Sequence, residues 1–119
     1  MEKYTVKRDG EKDLRFTGEI IGESSSRWIT GKEQNRWTEV RIYLTTSGKF
    51  VIEEAYYTQW QGEVGSSQAA ICETVEALHG EMLALDEEEL GFLSDVHKEA
   101  LEEAIKHVPE LEAALYEEI

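Results

Sequence analysis

Apolar residues in the first half of the chain recur at every second position. Strict alternation is typical of antiparallel strands that have one buried and one solvated face. The pattern therefore predicts a sheet whose even-numbered side chains face a core covered by helices. The alternating apolar positions are Tyr4, Val6, Leu14, Phe16, Ile20, Val40, Ile42, Leu44, Phe50, Ile52 and Tyr56.

Residues 46–48, with the sequence Thr-Ser-Gly, predict a tight hairpin between two of these strands. A three-residue hairpin loop favours a glycine in the left-handed conformation, which we assign to Gly48. This loop also predicts the register of the hairpin, because opposing side chains then match in polarity and ring type. The expected opposing pairs are Leu44 with Phe50, Ile42 with Ile52, Arg41 with Glu53, and Trp37 with Tyr57. The polar stretch 24–36 before this hairpin is typical of a long loop.

The second half of the chain has helical periodicity. Ser94 is a suitable N-cap for a helix over 95–107, and Pro109 suits the first turn of a closing helix. Residues 67–85 leave two interpretations open: one helix, or a fifth strand at Gln68–Cys72 followed by a shorter helix capped by Thr74. We favour the strand slightly. The apolar stripe of helix 95–107 comprises Val96, Ala100, Leu101, Ala104, Ile105 and Val108.

These patterns predict an α+β fold. We expect an antiparallel sheet of four or five strands followed by C-terminal helices packed on one face. A chain of 119 residues is the size of one domain. The predicted domain is 1–119, in which 1–62 is mainly strands and 63–119 is mainly helices.

Charge is distributed very unevenly along the chain. Residues 1–62 contain 10 acidic and 10 basic residues, whereas residues 63–119 contain 16 acidic residues and only Lys98 and Lys106 as bases. The net charge of −14 argues against direct binding of nucleic acid, because phosphate binding needs a positive surface. No apolar run approaches the roughly 20 residues that span a bilayer, so no membrane role is expected. The single cysteine, Cys72, fits a reducing cytoplasm.

Candidate catalytic and metal-binding groups give weak signals. His97 and His107 are ten residues apart, so they do not form the i, i+4 pair of a zinc-binding helix. We expect all three histidines to be surface or half-buried residues without a ligand role. Asp86–Glu89 is best explained as a helix start. Cys72 has no neighbouring base in the sequence, so we expect a packed, inert thiol. The sequence thus predicts no metal, no cofactor and, on balance, no enzyme.

Two surfaces are candidates for binding a partner protein. The first is the acidic helical half, where carboxylates along a helix can resemble a phosphate backbone and steer the chain toward a basic surface. The second is an aromatic patch, because aromatic residues and arginine dominate interface cores. The predicted partner-binding residues are Glu99, Glu102, Glu103, Glu110 and Glu112 on the first surface, and Trp28, Trp37, Tyr57 and Trp60 on the second.

The functional expectation is therefore a non-enzymatic acidic protein that binds a basic protein surface. One form of it is a DNA mimic that inhibits a nucleic-acid enzyme. The alternative is a small-ligand or enzymatic domain with a pocket between sheet and helices that contains Cys72, His79 or Glu54. The sequence leaves the oligomeric state and the partner's identity open.

Five stretches of the chain resemble a family of small, uncharacterised bacterial proteins. The resemblance covers most of the chain but consists of sheet and helix patterns rather than catalytic motifs. It implies no reaction, and it favours the strand interpretation of Gln68–Cys72. The stretches are LRFTGE at 14–19, RWTEVRIY at 36–43, GKFVIE at 48–53, ICETVEAL at 71–78 and ALEEA at 100–104.

Overall fold

The fold is that of a computed structural model, which describes residues 1–27, 35–85 and 95–114. Within these residues five antiparallel strands form one sheet, in which each strand pairs with its neighbours in sequence. Two α-helices and a 3₁₀ helix follow, so the expected α+β class is confirmed. The strands are β1 (Glu2–Val6), β2 (Leu14–Ser25), β3 (Arg36–Thr45), β4 (Phe50–Thr58) and β5 (Ser66–Cys72); the helices are α1 (Val75–Leu85), α2 (Asp95–His107) and the 3₁₀ helix Pro109–Ala114.

From the sequence we expected all helical residues to follow the sheet, and this expectation is wrong in one place. Ser26 and Arg27 are helical directly after β2. The strand itself continues to Ser25, and its Ser24 lies opposite Val40 of β3, so the loop predicted over 24–36 begins later than expected. Pairing with β3 accounts for the difference, because a polar serine run can extend a strand wherever a partner strand supplies its hydrogen bonds.

The β3–β4 hairpin has the predicted register. Leu44 lies opposite Phe50, Arg41 opposite Glu53, and the other two expected pairs also form. Gly48 has a φ of 86°, which is the left-handed conformation that the loop requires. The backbone N–H of Gly48 donates to the carbonyl of Thr45 at 3.0 Å and closes the turn.

The fifth strand settles the open interpretation of residues 67–85. Ser66–Cys72 pairs with β4, and α1 begins only at Val75. The Thr74 hydroxyl accepts a hydrogen bond of 3.0 Å from the backbone N–H of Ala77, as an N-cap does. Helix α2 has its predicted bounds. Its predicted cap, Ser94, and the predicted helix start at Asp86–Glu89 lie outside the described residues.

A bulge in β2 overturns part of the predicted core. Ile20 lies opposite Tyr43 and Gly22 opposite Ile42, so Ile21 is an extra residue in the strand. Side chains alternate between the two faces of a sheet. One extra residue in a strand therefore moves every preceding side chain of that strand to the other face. Ile21 is consequently buried and Ile20 is exposed, the reverse of the prediction. The predicted core residues Tyr4, Val6, Leu14 and Phe16 form a second cluster with Tyr43, Val51 and Ala69 instead.

The main core joins the even face of β3 and β4 to both α-helices. Gly22 of β2 lies so close to α2 that a Cβ at this position would collide with the carbonyl oxygen of Ala100. Helix and strand therefore contact each other there almost backbone to backbone. The buried members of this core are Ile21, Val40, Ile42, Phe50, Ile52, Cys72, Leu78, Met82, Ala100, Leu101, Ala104 and Leu111.

The second cluster joins aromatic rings from three strands. Tyr4 on β1 and Tyr43 on β3 are separated by β2, yet their ring centroids are only 5.0 Å apart. Phe16 completes the group, with its centroid 5.1 Å from that of Tyr43. In a flat sheet, strands two apart are separated by about 10 Å. Long aromatic side chains span this separation, so the odd-numbered face of β3 has a small apolar core of its own.

Candidate functional site

The predicted acidic residues lie on α2 and on the 3₁₀ helix. Glu102, Glu103, Glu110 and Glu112 are exposed, and Glu99 is half-buried. Their placement follows from the apolar stripe of α2, which turns Ala100, Leu101 and Ala104 inward and leaves the opposite side of the helix to solvent. We call the five glutamates Glu99, Glu102, Glu103, Glu110 and Glu112 the acidic helical layer.

Little positive charge compensates the acidic helical layer. In the part of the chain that the structure describes, its one ion pair joins Lys106 Nζ to Glu103 Oε1 at 3.5 Å. Both side chains are largely exposed, and such a surface pair contributes little. The negative field of the layer therefore extends into solvent, where it falls off over about 8 Å at physiological salt.

Two arginines on the sheet, Arg36 and Arg41, are by contrast paired with carboxylates. Arg41 bonds Glu23 at 2.8 Å and Glu39 at 3.0 Å, and it lies 3.6 Å from Glu53, its predicted cross-strand partner. Burial lowers the pKa of Arg41, but its hydrogen bond to Glu23 and the charges of Glu53 and Glu39 outweigh burial and hold this pKa above its usual value. This arginine is therefore neutralised within the fold.

A second ion pair joins β3 to the segment that follows β4. Arg36 donates two hydrogen bonds to Glu63, from Nε at 2.9 Å and from Nη2 at 2.8 Å. These bonds and one from the Thr58 hydroxyl lower the pKa of Glu63. Arg36 and Arg41 are therefore both engaged with carboxylates of the same chain.

The predicted aromatic patch forms in part. The Trp37 and Tyr57 rings stack with centroids 5.3 Å apart, and the Arg27 guanidinium lies 3.6 Å from the centre of the Trp37 ring. The Trp37 indole N–H also donates to Glu39 at 3.0 Å. We call Arg27, Trp37 and Tyr57 the aromatic ladder. The sequence predicted that Trp37 lies on the solvated face of the sheet. The Trp37 side chain is half-buried within the ladder.

Trp60, a further tryptophan of the patch, is not stacked in the ladder. It is 52% exposed, and the Arg36 guanidinium lies 5.4 Å from its ring centre. Trp28 lies outside the described residues. The alternation of β3 places Trp37 on the same face as Tyr43, opposite the face that contacts α2. The ladder therefore lies on the face of β3 opposite the one that contacts α2.

A buried polar pair connects the sheet to α2. His97 Nε2 lies 3.0 Å from Glu54 Oε2, and the His97 side chain is 4% exposed. The expectation of a surface or half-buried His97 is therefore wrong. The available signal was its helical spacing, because His97 precedes Ala100 and Leu101 by three and four residues and shares their stripe. Ser24 lies opposite Val40 on the other side of β3 and is fully buried, and its hydroxyl has no hydrogen-bond partner among the described residues.

Cys72 has the environment of a packed thiol. It is buried on the helix-facing side of β5, and burial, together with the charge of Glu81, raises its pKa to about 11. A thiolate nucleophile needs the opposite shift. The described residues contain no group of three or more histidine, cysteine or acidic side chains that could hold a metal ion. His79 is half-buried on α1.

Comparisons with known proteins found no matching family model, no matching curated protein and no matching solved structure. The resemblance to small bacterial proteins therefore stays a prediction. Among the helices of the described residues, none is both long enough and apolar enough to cross a membrane.

Proposed function

We propose that this protein is a non-enzymatic interaction protein that binds a basic surface of a partner protein through its acidic helical layer. The observation that carries the proposal is the contrast in pairing. The arginines at 8, 36 and 41 on the sheet side have carboxylate partners within 3.0 Å, whereas the layer has one exposed pair at 3.5 Å. Unpaired like charges on neighbouring helical turns weaken a helix, so a function for the field gives this arrangement a reason.

The spacing of the layer supports a specific form of this function, mimicry of DNA. A helix rises 1.5 Å per residue, so Glu99 and Glu103 lie about 6 Å apart along α2, with Glu102 between them. Phosphates along one DNA strand are about 3.4 Å apart along the axis. Carboxylates at comparable spacing would present a similar negative surface to the basic groove of a nucleic-acid enzyme.

The proposal includes an arrangement in which both α-helices cover one face of the sheet. Its support is the main core, where Leu78 and Met82 of α1 and Leu101 of α2 share a cluster with Ile42 and Ile52. In this arrangement the outer side of the helices is free for a partner. We also propose a cytoplasmic location, because the free thiol of Cys72 is suited to a reducing compartment.

The test compares two variants that remove the same charge from different places. The first replaces the five glutamates of the acidic helical layer with glutamine. The control makes the equivalent amide changes at five exposed carboxylates elsewhere, namely Glu2, Glu11, Asp13, Glu19 and Glu73. Both variants carry five fewer negative charges, so a difference between them reports the position of the charge rather than its total.

Immobilised wild type and both variants are exposed to a bacterial lysate at about 50 and about 500 mM salt, and the captured proteins are identified and then measured singly. We expect duplex DNA to displace the captured partners from the immobilised protein, and we expect high salt to release them. The layer variant should associate with them about tenfold more slowly, whereas the control should resemble wild type. Equal binding by the layer variant and wild type would refute the proposal.

A second candidate function is favoured by the Glu54–His97 pair. A buried carboxylate–imidazole pair is the kind of polar group found in ligand pockets. Three cavities, of about 640, 290 and 280 Å³, are lined by other residues. A ligand that stabilises wild type against heat but does not stabilise His97→Gln would favour ligand binding at the Glu54–His97 pair over the function of the acidic helical layer.

A further inference from the structure

Strand β5 is an edge strand whose outer backbone groups are only partly used. At Ser67 they are occupied: the Asp9 backbone N–H donates to the Ser67 carbonyl at 2.8 Å, and the Ser67 N–H donates to Asp9 Oδ2 at 2.8 Å. Both bonds point away from β4. In an antiparallel strand every second residue points the same way, so the N–H and C=O groups of Ala69 and Ile71 face outward as well. Across the described residues no hydrogen bond is made to these four groups.

The free edge lines a preformed groove. Its volume is about 640 Å³, and residues 68–71 form one wall. The opposite side consists of Arg8, Asp9 and Glu11 from the segment after β1, together with Glu81 from α1. Asp9 closes the groove at Ser67, and β5 ends at Cys72. The open length therefore matches a short extended peptide of about four residues.

The edge lacks the usual protection against pairing with another chain. Natural edge strands carry lysine, proline or inward charges that prevent strand addition. Ser66–Cys72 has the sequence SSQAAIC, without a charged residue or a proline. Ile71 is 53% exposed on this strand, so it offers an apolar contact beside the unpaired backbone groups. An unprotected edge with an exposed isoleucine is a template for an added strand.

We propose that the β5 edge binds an extended basic peptide segment of a partner protein as a sixth strand. Charge selects the partner. Among the residues that line the groove, Arg8 is the one base, and it is paired with Glu11 at 2.7 Å, whereas Glu81 has no ion-pair partner in the described structure. A lysine or arginine in the peptide therefore finds an acidic wall, while alternate apolar side chains contact Ile71.

A second copy of this chain fits the edge poorly. An antiparallel β5–β5 pair centred on Ala69 would place Ile71 of one copy against Ser67 of the other, whose backbone groups are already bonded to Asp9. Each copy also carries a net charge of −14, so the two would repel each other. The proposal goes beyond the acidic helical layer and does not depend on it.

The test follows backbone amide exchange by NMR in the full-length protein. The probe is a synthetic pentapeptide of alternating lysine and valine with blocked ends. We expect the Ala69 and Ile71 amides to exchange rapidly without peptide and about tenfold more slowly when it is in excess. The Gln68 and Ala70 amides should not change, because the alternation directs them toward β4.

Three peptide controls identify the mode of binding. N-methylation of the peptide residues whose N–H groups face β5 removes those donors and should abolish the protection of the Ala69 and Ile71 amides. N-methylation of the alternate peptide residues should leave this protection unchanged. A peptide with glutamate in place of lysine should not protect. Protection that survives both methylations, or that the glutamate peptide also produces, would overturn the proposal.

Two further measurements separate this proposal from the function of the acidic helical layer. The variant with five glutamines in that layer should show the same protection at Ala69 and Ile71. If peptide-induced changes appear on α2 while the β5 amides stay unprotected, the edge proposal fails and the layer proposal survives. Sedimentation of the free protein should show a monomer; a dimer with protected β5 amides would mean that a second copy occupies the edge.

Discussion

Replacing Gly22 with alanine should destabilise the protein by about 1–3 kcal/mol, the usual range for overpacking a well-packed core. The new Cβ would collide with the Ala100 carbonyl oxygen and lie 3.0 Å from the Ala104 Cβ. The Ala100 oxygen belongs to the backbone of α2, so it cannot rotate away as a side-chain tip would. Helix α2 must therefore move as a unit.

The size of that movement places the effect in the upper half of the range. Restoring an ordinary contact distance requires a displacement of about 1 Å, and a gap of that size forfeits up to about half of each dispersion contact across an interface. Ala100, Leu101 and Ala104 are all fully buried in this interface. A loss of this size is a large share of a stability of about 5–15 kcal/mol.

Gly80 provides a matched control for the same chemical change. It lies within α1, it is exposed, and a Cβ there would meet nothing within 4 Å. Alanine in an exposed helix interior is more stable than glycine by about 0.5–1 kcal/mol. We therefore expect Gly80→Ala to stabilise the protein and Gly22→Ala to destabilise it.

Urea denaturation followed by circular dichroism measures both variants. The midpoint should fall for Gly22→Ala and rise for Gly80→Ala, with unchanged slopes, because neither change alters the surface exposed on unfolding very much. If Gly22→Ala unfolds within about 0.5 kcal/mol of wild type, which is the range of neutral surface changes, α2 does not rest on β2 at this position and the reasoning is refuted.

Two further predictions concern titrating groups. The pKa of the Cys72 thiol is raised to about 11 by burial and the charge of Glu81, so its reactive thiolate forms only as the pH rises. Alkylation by iodoacetamide at pH 8, followed by mass spectrometry, should be at least about 100-fold slower in the folded than in the unfolded protein; similar rates would contradict this. The pKa of Glu63 is lowered by Arg36, so the stability that the pair contributes is present at neutral pH and is lost as the pH falls through that lowered pKa. Carboxyl NMR should show a Glu63 midpoint below about 4.3 that rises in Arg36→Gln, and an unchanged midpoint would show that the pair does not form in solution.

The hairpin of β3 and β4 illustrates what local patterns predict well. Its loop, its register and the pairing of Arg41 with Glu53 all follow from residues within about ten positions of Gly48. Turn chemistry and the matching of opposing side chains act on the same short segment, so they agree. Helix α2 is a similar case, because its apolar stripe is complete within the helix.

The candidate surfaces were predicted unevenly. The glutamates of α2 lie outward because helical spacing alone separates them from the apolar stripe. The stacking of Trp37 on Tyr57 follows from the hairpin register. The position of the Arg27 guanidinium over the Trp37 ring does not follow from it. That contact depends on the path of the chain between β2 and β3, for which the sequence has no periodic signal.

Local sequence patterns specify most of the element types, the β3–β4 register and the uneven distribution of charge, since each depends on neighbouring residues. They left residues 67–85 open between helix and strand. The tertiary fold specifies which face Ile20 and Ile21 occupy, that His97 meets Glu54, and that the edge of β5 is open beside Asp9. A single bulge reverses the faces of a strand without changing its alternation. Contacts between β4 and α2, or between Asp9 and β5, join residues more than 40 positions apart, so no local pattern specifies them.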